Sequence, residues 1–333
     1  MVEATAMVRP ALLALGFAVT VLIAQPAAGA QIWLSATEPV WRGIRGWPLN
    51  DYMDLFRPDA PWQHAVAQVM VFGVSKRFVL ETPESDLVAI INALRRHNIK
   101  LSVQATPLFA SRECGLGVEG HGPPNDMVMV ATRLKLLGAD MAYMTMDEPL
   151  FYGHRFKGSP GISACHTTVP EIARQVAAKM MAVRKIYPSV VIGDIEPMGV
   201  LPAEVQDWTH EIAEWIASYR DAMGEPLGFF QADVVWQRPS WRDVLLATVS
   251  IARANRVPLG IIYNGMPTDT TDAAWIDDAE SHFRLVEGSM KISPDQAILQ
   301  SWTDHPRSML PESNRDALTN LVLRYSAWQS RRQ

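Results

Sequence analysis

The segment Tyr143–His154, YMTMDEPLFYGH, changes from an apolar run to a strongly polar one within two residues. The apolar half is short and is typical of a buried β-strand. Asp147 and Glu148 follow it at once, and Pro149 then restricts the direction of the chain. Aromatic residues and a histidine complete the segment. The pattern predicts a strand that carries two carboxylates at its carboxyl end.

Short apolar runs of this kind recur along the chain and alternate with longer amphipathic runs of helical period. The predicted strands are Gln31–Ser35, Ala65–Val74, Lys100–Ala105, Asp140–Met146, Ser189–Ile195, Leu227–Val235, Pro258–Asn264 and Ala297–Trp302. Several of them are apolar on both faces, as in a parallel sheet covered by helices. Only the gap between the first two strands lacks a clear long helix.

Eight strand-helix units in about 300 residues predict a single-domain (β/α)₈ TIM barrel over residues 31–333. The alternative is an open, doubly wound sheet. That fold usually carries a glycine-rich phosphate turn after its first strand, and the sequence contains no GxGxxG motif.

Residues 1–30 differ from the rest of the chain and have the features of a secretory signal peptide. Arg9 precedes the fourteen-residue apolar run Ala11–Ala24, and Ala28-Gly29-Ala30 fits the small-residue pattern of a cleavage site. We therefore expect a secreted or periplasmic protein with no membrane attachment after cleavage. The alternative is an uncleaved N-terminal anchor.

The chain contains two cysteines, Cys114 and Cys165, and each lies in a segment rich in glycine or small polar residues. Two cysteines in an exported chain indicate one disulfide. The alternative is a pair of reduced thiols that never meet. Metal binding by these cysteines is not favoured because neither has a CxxC partner.

The overall composition excludes one class of partner and points to no cofactor. The 333 residues are 48% hydrophobic and 20% charged, with a net charge of −5 and no extended basic run. This charge balance gives no electrostatic basis for binding nucleic acid. We expect a monomer that needs no metal or organic cofactor. A metal site built from Asp147, Glu148, His154 and Asp304 is an alternative that no spacing motif supports.

The dipeptide Glu-Pro occurs at the ends of two successive strands, as MDEP around Glu148 and as DIEP around Glu196. Because neighbouring barrel strands end at one rim, we expect both glutamates to lie there. The following prolines should hold each glutamate in an extended conformation. Two carboxylates close together have pKa values that move apart, so one serves as an acid while its partner stays charged.

Other polar and aromatic residues at the strand ends complete the candidate site. We expect Asp147 and Asp233 to assist the two glutamates, whereas Asp147 could instead cap the helix that follows it. Flat aromatic rings stack on sugars, and amides and imidazoles bind hydroxyl groups, so this composition favours a carbohydrate. The candidate binding residues are Tyr152, His154, Gln231, Trp236, Tyr263, Asn264 and Trp302. Packing within the core is the alternative role for the tryptophans.

The MDEP segment resembles the Asn-Glu-Pro that ends strand 4 in the retaining glycoside hydrolases of the large (β/α)₈ clan. This resemblance implies that Glu148 is the acid/base, and Trp302 matches a tryptophan common at the end of strand 8 in that clan. The clan places its nucleophile at the end of strand 7, where this sequence has Tyr263 and Asn264. The second carboxylate would then be Glu196 or Asp233.

These observations predict a carbohydrate-active enzyme, specifically a glycoside hydrolase that uses a carboxylate pair. A barrel that binds a glycan or small ligand without cleaving it is the alternative, and the missing strand 7 acid supports it. A lyase or epimerase for acidic sugars is a third hypothesis. It requires cationic groups in the cleft, for which Lys76, Arg77 and Arg155 are the candidates.

Overall fold

The computed structural model describes residues 1, 29–199 and 205–332. The predicted signal peptide falls almost entirely on residues 2–28, which lie outside this range, so export stays a prediction. Within the described part of the chain, no helix is both long enough and apolar enough to cross a bilayer.

Eight parallel strands close into a barrel, which confirms the predicted fold. Their order around the barrel is β1-β10-β9-β8-β7-β6-β3-β2. The barrel strands are β1 Gln31–Ser35, β2 Val69–Ser75, β3 Lys100–Ala105, β6 Met141–Asp147, β7 Val191–Met198, β8 Phe230–Val234, β9 Leu259–Tyr263 and β10 Gln296–Gln300. Two short strands, β4 Leu108–Phe109 and β5 His121–Gly122, pair with each other in the loop after β3.

Helices lie between the strands and cover the outside of the barrel. They are α1 Pro39–Arg45, α2 Gln63–Val66, α3 Lys76–Glu81, α4 Glu84–Arg96, α5 Asp126–Leu136, α6 Val169–Arg184, α7 Val205–Met223, α8 Trp241–Asn255, α9 Asp272–Phe283 and α10 Leu318–Ser330. The gap after β1 holds only short pieces, α1, α2 and the 3₁₀ turn Tyr52–Phe56, as its weak helical pattern indicates. Helix α4 has acids in its first turn and Arg95 and Arg96 in its last, which suits the helix dipole.

The lower interior of the barrel is filled by a small cluster of apolar side chains: Trp33, Val71, Tyr143, Ile195, Phe229, Ile262 and Ile298. Trp33 contacts Tyr143 and Phe229 at ring-centroid distances of 4.8 and 5.2 Å. The Phe229 ring lies against Gly193 of β7, where an added Cβ atom would come within 2.3 Å of it. The barrel is therefore a packed core below its mouth, the open end at the carboxyl ends of the strands.

Candidate functional site

Asp147 is the last residue of β6 and points into the barrel mouth. Side chains alternate along a strand, and Tyr143 and Thr145 of β6 both face the barrel interior. The Asp147 Oδ1 atom accepts a hydrogen bond of 2.6 Å from Nε2 of Gln104, which reaches up from β3. In the ladder with β7, Asp147 lies beside Ile195, another inward-facing residue.

Glu148 follows Asp147 in an unusual backbone conformation. Its φ angle is 46°, in the left-handed region that few residues other than glycine adopt. The expectation that Pro149 would hold it extended was therefore wrong. Two backbone hydrogen bonds fix the turn, from the Glu148 amide to the Ile195 carbonyl at 3.1 Å and from the Tyr152 amide to the Glu148 carbonyl at 3.0 Å. Such strain costs about 1–3 kcal/mol and is found most often at functional sites.

Asp233 reaches the same mouth from β8. It lies two residues after Gln231, which lines the barrel interior, and beside Pro197 in the ladder with β7. A side-chain hydrogen bond joins Asp233 to Asn264, the residue that follows β9. The Asn264 amide oxygen in turn accepts a 2.7 Å hydrogen bond from Trp236 Nε1. The positions of Asp147, Glu148, Asp233 and Asn264 thus agree with the sequence-based expectation.

Glu196 has a different position from the one expected. It lies within β7, and its neighbours in alternation, Ile192 and Met198, pack in the core between the barrel and the helices. Its carboxylate accepts hydrogen bonds from the backbone amides of Leu150 at 2.6 Å and Phe151 at 3.0 Å. Strand alternation explains the difference, because Ile195 faces inward and Glu196 must then face outward. Glu196 anchors the segment that follows Glu148.

Burial and like charge raise the pKa values of the carboxyl groups at the mouth. Burial is the largest cause for Glu148, followed by the charges of Asp233, Asp147, Glu119 and Glu196. Burial and the Glu119 charge raise the pKa of Asp147 well above its usual range. For Asp233 the same two causes raise the pKa to about 7. These shifts keep protons on the cluster at pH values where isolated acids are fully ionised.

Glu119 belongs to this cluster, and the sequence analysis missed it. It lies in the long loop between β3 and α5, with no strand in front of it and no proline behind it. Its carboxylate accepts a 2.8 Å hydrogen bond from the hydroxyl of Tyr152. The catalytic residues predicted for the site all lie in or next to barrel strands. Glu119 does not, because a loop brings it to the mouth from a distant part of the sequence.

Three of the predicted binding residues have side chains that contact other residues inside the protein. The Tyr263 hydroxyl donates a 3.0 Å hydrogen bond to Glu287 in the helix layer, because Ile262 is the inward-facing residue of β9. Gln231 donates to Gln296 at 2.9 Å inside the barrel. The Trp236 ring is buried, and it stacks on the His282 ring at a centroid distance of 3.8 Å. Tyr263 therefore cannot bind a ligand in the mouth.

His154 and Trp302 lie near the surface. The Nδ1 atom of His154 lies 2.7 Å from the backbone oxygen of Thr167, and its Nε2 atom lies 3.6 Å from Glu211. The Trp302 side chain stays 42% exposed just beyond the end of β10. Of the predicted aromatic residues, Trp302 thus offers the open ring face that a sugar would need.

The three cationic residues proposed for an acidic-sugar site are paired with acids. Lys76 contacts Asp126 at 3.0 Å, and Arg155 forms two hydrogen bonds with Glu211 at 2.6 and 3.0 Å. Arg77 pairs with Glu81 at 3.2 Å and lies over the Trp41 ring. Each of these three cations therefore forms an ion pair with an acid other than Asp147, Glu148 and Asp233.

Cys114 and Cys165 form the expected disulfide, with a Cα–Cα distance of 5.0 Å. It connects the loop after β3 to the segment between β6 and α6. A surface cavity of about 500 Å³ lies beside it, lined partly by Phe109, Glu171 and Arg174. A second cavity, of about 30 Å³, lies inside the barrel beneath the mouth acids and is lined by Trp33, Gln104 and other polar side chains.

A metal site from Asp147, Glu148, His154 and Asp304 finds no support in the geometry. Asp304 pairs instead with Arg42 at 2.6 Å. Within residues 29–199 and 205–332, no group of three or more histidine, cysteine, aspartate or glutamate side chains has the arrangement needed to hold a metal ion.

Comparison with known proteins supports the fold but assigns the chain to no family. No protein-family model and no curated protein matches the chain. Among solved structures, the carboxyl transferase domain of Rhizobium etli pyruvate carboxylase matches with a TM-score of 0.51 and 12% identity, over 92% of this chain and 48% of that one. The chain thus spans about half the length of that protein.

Two glycoside hydrolases are similar at a slightly lower level. A β-glucosidase from Thermotoga maritima has a TM-score of 0.49 and 11% identity, over 84% of this chain and 89% of that chain. A psychrophilic family 10 endo-β-1,4-xylanase has a TM-score of 0.47 and 10% identity, over 83% of this chain and 86% of that chain. The (β/α)₈ barrel fold serves many unrelated reactions.

Proposed function

We propose that the protein is an exported glycoside hydrolase in which Glu148 is the general acid and Asp233 is the second catalytic carboxylate. The observation that carries this proposal is the cluster of Asp147, Glu148 and Asp233 at the barrel mouth, with pKa values raised by burial and by neighbouring carboxylates. Glycoside hydrolysis needs one carboxyl group that holds a proton and another that has lost it. Asp233 replaces Glu196 in this assignment because two backbone amides occupy the Glu196 carboxylate.

The charge arrangement provides the required difference between the two groups. Carboxyl groups that lie close together do not all ionise at the same pH, because each negative charge opposes the formation of the next. The cluster therefore releases its protons in separate steps. Glu148 has the larger number of acidic neighbours acting on it, which favours its protonated form. Asp233 keeps a hydrogen bond from Asn264 that stabilises its charged form. Glu148 is therefore the better acid and Asp233 the better base or nucleophile.

The space around the acids indicates how a substrate would lie. The cavity beneath Asp147, at about 30 Å³, admits only a water-sized group, whereas typical ligand pockets have at least about 300 Å³. We propose that the sugar lies across the open mouth instead. The exposed ring of Trp302 would support one end of it.

A barrel that binds a small ligand without turnover is the second candidate. The buried Trp33 Nε1 donor favours it, since this donor has no acceptor in the protein and Trp33 is one of the residues that line the interior cavity. The acidic-sugar lyase has less support, because Lys76, Arg77 and Arg155 pair with acids elsewhere.

Aryl glycosides with good and poor leaving groups provide the test. In Glu148→Gln, a poor leaving group should lose about 10²–10⁴-fold in rate, whereas an activated one needs no proton and should lose much less. The control is Glu84→Gln, at an exposed glutamate in the first turn of α4, which should match the wild type. Equal losses on both substrates would contradict the acid role, and ligand binding without turnover by the wild type would favour the second candidate.

Export forms part of the proposal and has its own test. Supporting it, the Cys114–Cys165 disulfide fits an oxidising compartment. The N-terminal sequence of the protein recovered from the cell exterior or periplasm should begin at Gln31. An intact N-terminus on membrane-bound protein would contradict cleavage.

A further inference from the structure

We propose that Glu119 is a positioning residue of the carboxyl cluster, and that the disulfide-closed loop holds its carboxylate beside the end of β6, where its charge acts on Asp147. This inference rests on the proposed function, because it assigns a role within the same site. Glu119 would act through Asp147 rather than on the substrate.

The Glu119 side chain acts on two groups at the mouth. Its Oε2 atom accepts a 2.8 Å hydrogen bond from the Tyr152 hydroxyl. Its charge also acts on the Asp147 carboxyl group and raises the pKa of that group. Gln104 binds the other side of Asp147 and completes its surroundings.

The backbone next to Glu119 is shaped for this contact. Gly120 has a φ angle of 73°, and a Cβ atom added there would lie 2.6 Å from the carbonyl oxygen of Asp147. The residue therefore has to be glycine for the loop to approach the end of β6 this closely. The Gly120 carbonyl accepts a 2.9 Å hydrogen bond from the Leu108 amide, which joins the loop to its own base.

Two anchors hold the loop at its ends. On one side the Cys114–Cys165 disulfide ties it to the segment after β6, and the Gly115 amide donates a 2.9 Å hydrogen bond to Ser163 in that segment. On the other side the buried ammonium group of Lys179 donates to the carbonyls of Thr106, Leu108 and Gly122 at 2.9, 3.0 and 3.3 Å. Glu119 lies between the two anchors.

The expected consequence is electrostatic. The Glu119 charge acts on the pKa values of Asp147, Glu148 and Asp233. The other titratable groups whose charges interact with Asp147 or Glu148 are Asp233 from β8, Glu196 from β7 and Tyr152 after β6. None of these neighbours is a cation, so removal of the Glu119 charge should lower the pKa values of the cluster.

The test is a carboxyl ¹³C NMR titration of the folded, oxidised protein and its Glu119→Gln variant. We expect the pKa of Asp147 to be lower in the variant than in the wild type. Glu113→Gln is the matched control, since Glu113 lies in the same loop and is exposed, and it should leave the titration unchanged. An unchanged Asp147 titration in Glu119→Gln would overturn the proposal.

Two further variants keep the test decisive if Glu119→Gln fails to fold. Tyr152→Phe removes the donor to Glu119 and should move the same titration by a smaller amount. The double variant Cys114→Ser/Cys165→Ser should lower the Asp147 pKa as Glu119→Gln does, whereas an unshifted titration would contradict the role of the disulfide.

Because NMR needs no turnover, the titration separates this inference from the proposed function. A pKa shift without glycosidase activity would contradict the proposed function alone, and activity without a pKa shift would contradict this inference alone.

Discussion

The two Glu-Pro pairs of this barrel have nearly the same sequence context and very different surroundings. Glu148 follows the last residue of β6, adopts a left-handed backbone conformation and lies at the mouth among other acids. Glu196 lies inside β7, is fully buried on the outward face of the barrel and binds two amides of the segment after Glu148. One lies at the open mouth, and the other binds the backbone that follows it.

The difference shows that strand alternation decides the role of a carboxylate more strongly than its motif does. In the hydrogen-bonded ladder between β6 and β7, Asp147 lies beside Ile195. The inward-facing residues of the two strands therefore lie at the same height in the barrel. β7 then continues for three more residues while β6 stops. A glutamate that remains in the strand must obey its alternation, whereas one just past the end can turn toward the mouth.

The largest effects on rate and stability should come from replacing Glu148 and Glu196 by glutamine, one at a time. Glu148→Gln should lower the rate on substrates with poor leaving groups by about 10²–10⁴-fold, because a general acid is lost. Glu196→Gln places an amide against two N–H donors and should mainly destabilise the fold, by about 1–3 kcal/mol. Rates per folded molecule and urea unfolding of both variants provide the check. A larger rate loss in Glu196→Gln would reverse the assignment.

A smaller effect tests the alternation itself. In Gly193→Ala the added methyl group would meet the Phe229 ring, 2.3 Å away, so we expect a loss of about 1–3 kcal/mol in the free energy of unfolding. Gly43→Ala is the control, because no atom lies within 4 Å of its added Cβ in helix α1. It should gain up to about 1 kcal/mol. Equal stability of the two variants would show that Gly193 does not face the barrel interior.

The smallest effect concerns pH. The pKa of Asp233 is raised to about 7 from its usual 3.8, so its protonated form stabilises the fold fully below about pH 4. This contribution is lost as the pH rises through 7. Asp233→Asn should therefore be more stable than the wild type at pH 8, with a smaller gain at pH 4. Thermal unfolding at both pH values measures it, and a gain that is larger at pH 4 would contradict the raised pKa.

Much of the fold could be predicted from the chain because local patterns determine it. The alternation of apolar strands with amphipathic helices identified the eight barrel strands, and β1 and β3 begin and end where the sequence indicates. The end of β7 was misplaced by three residues, from Ile195 to Met198. Pro197 is the reason, since a proline usually signals the end of a strand, yet here it stays within one.

The candidate site was only partly predictable, because it depends on contacts between distant segments. The positions of Asp147, Glu148 and Asp233 at the mouth could be predicted since these residues lie at strand ends, which topology brings together. Glu119 was missed because its position depends on a disulfide and on a close approach at Gly120. Tyr263 was misjudged because a one-residue difference in alternation turns it toward Glu287.

The most direct test of the account is carboxyl modification of the folded protein with a carbodiimide and an amine at pH 5, followed by peptide mass spectrometry. Glu148 should be modified and its modification should be slowed by a bound ligand, because its raised pKa keeps it protonated at the open mouth. Glu196 should stay unmodified until the protein unfolds, because its side chain is buried against two amides. Modification of Glu196 as fast as Glu148 in the folded state would contradict the separation of the two glutamates.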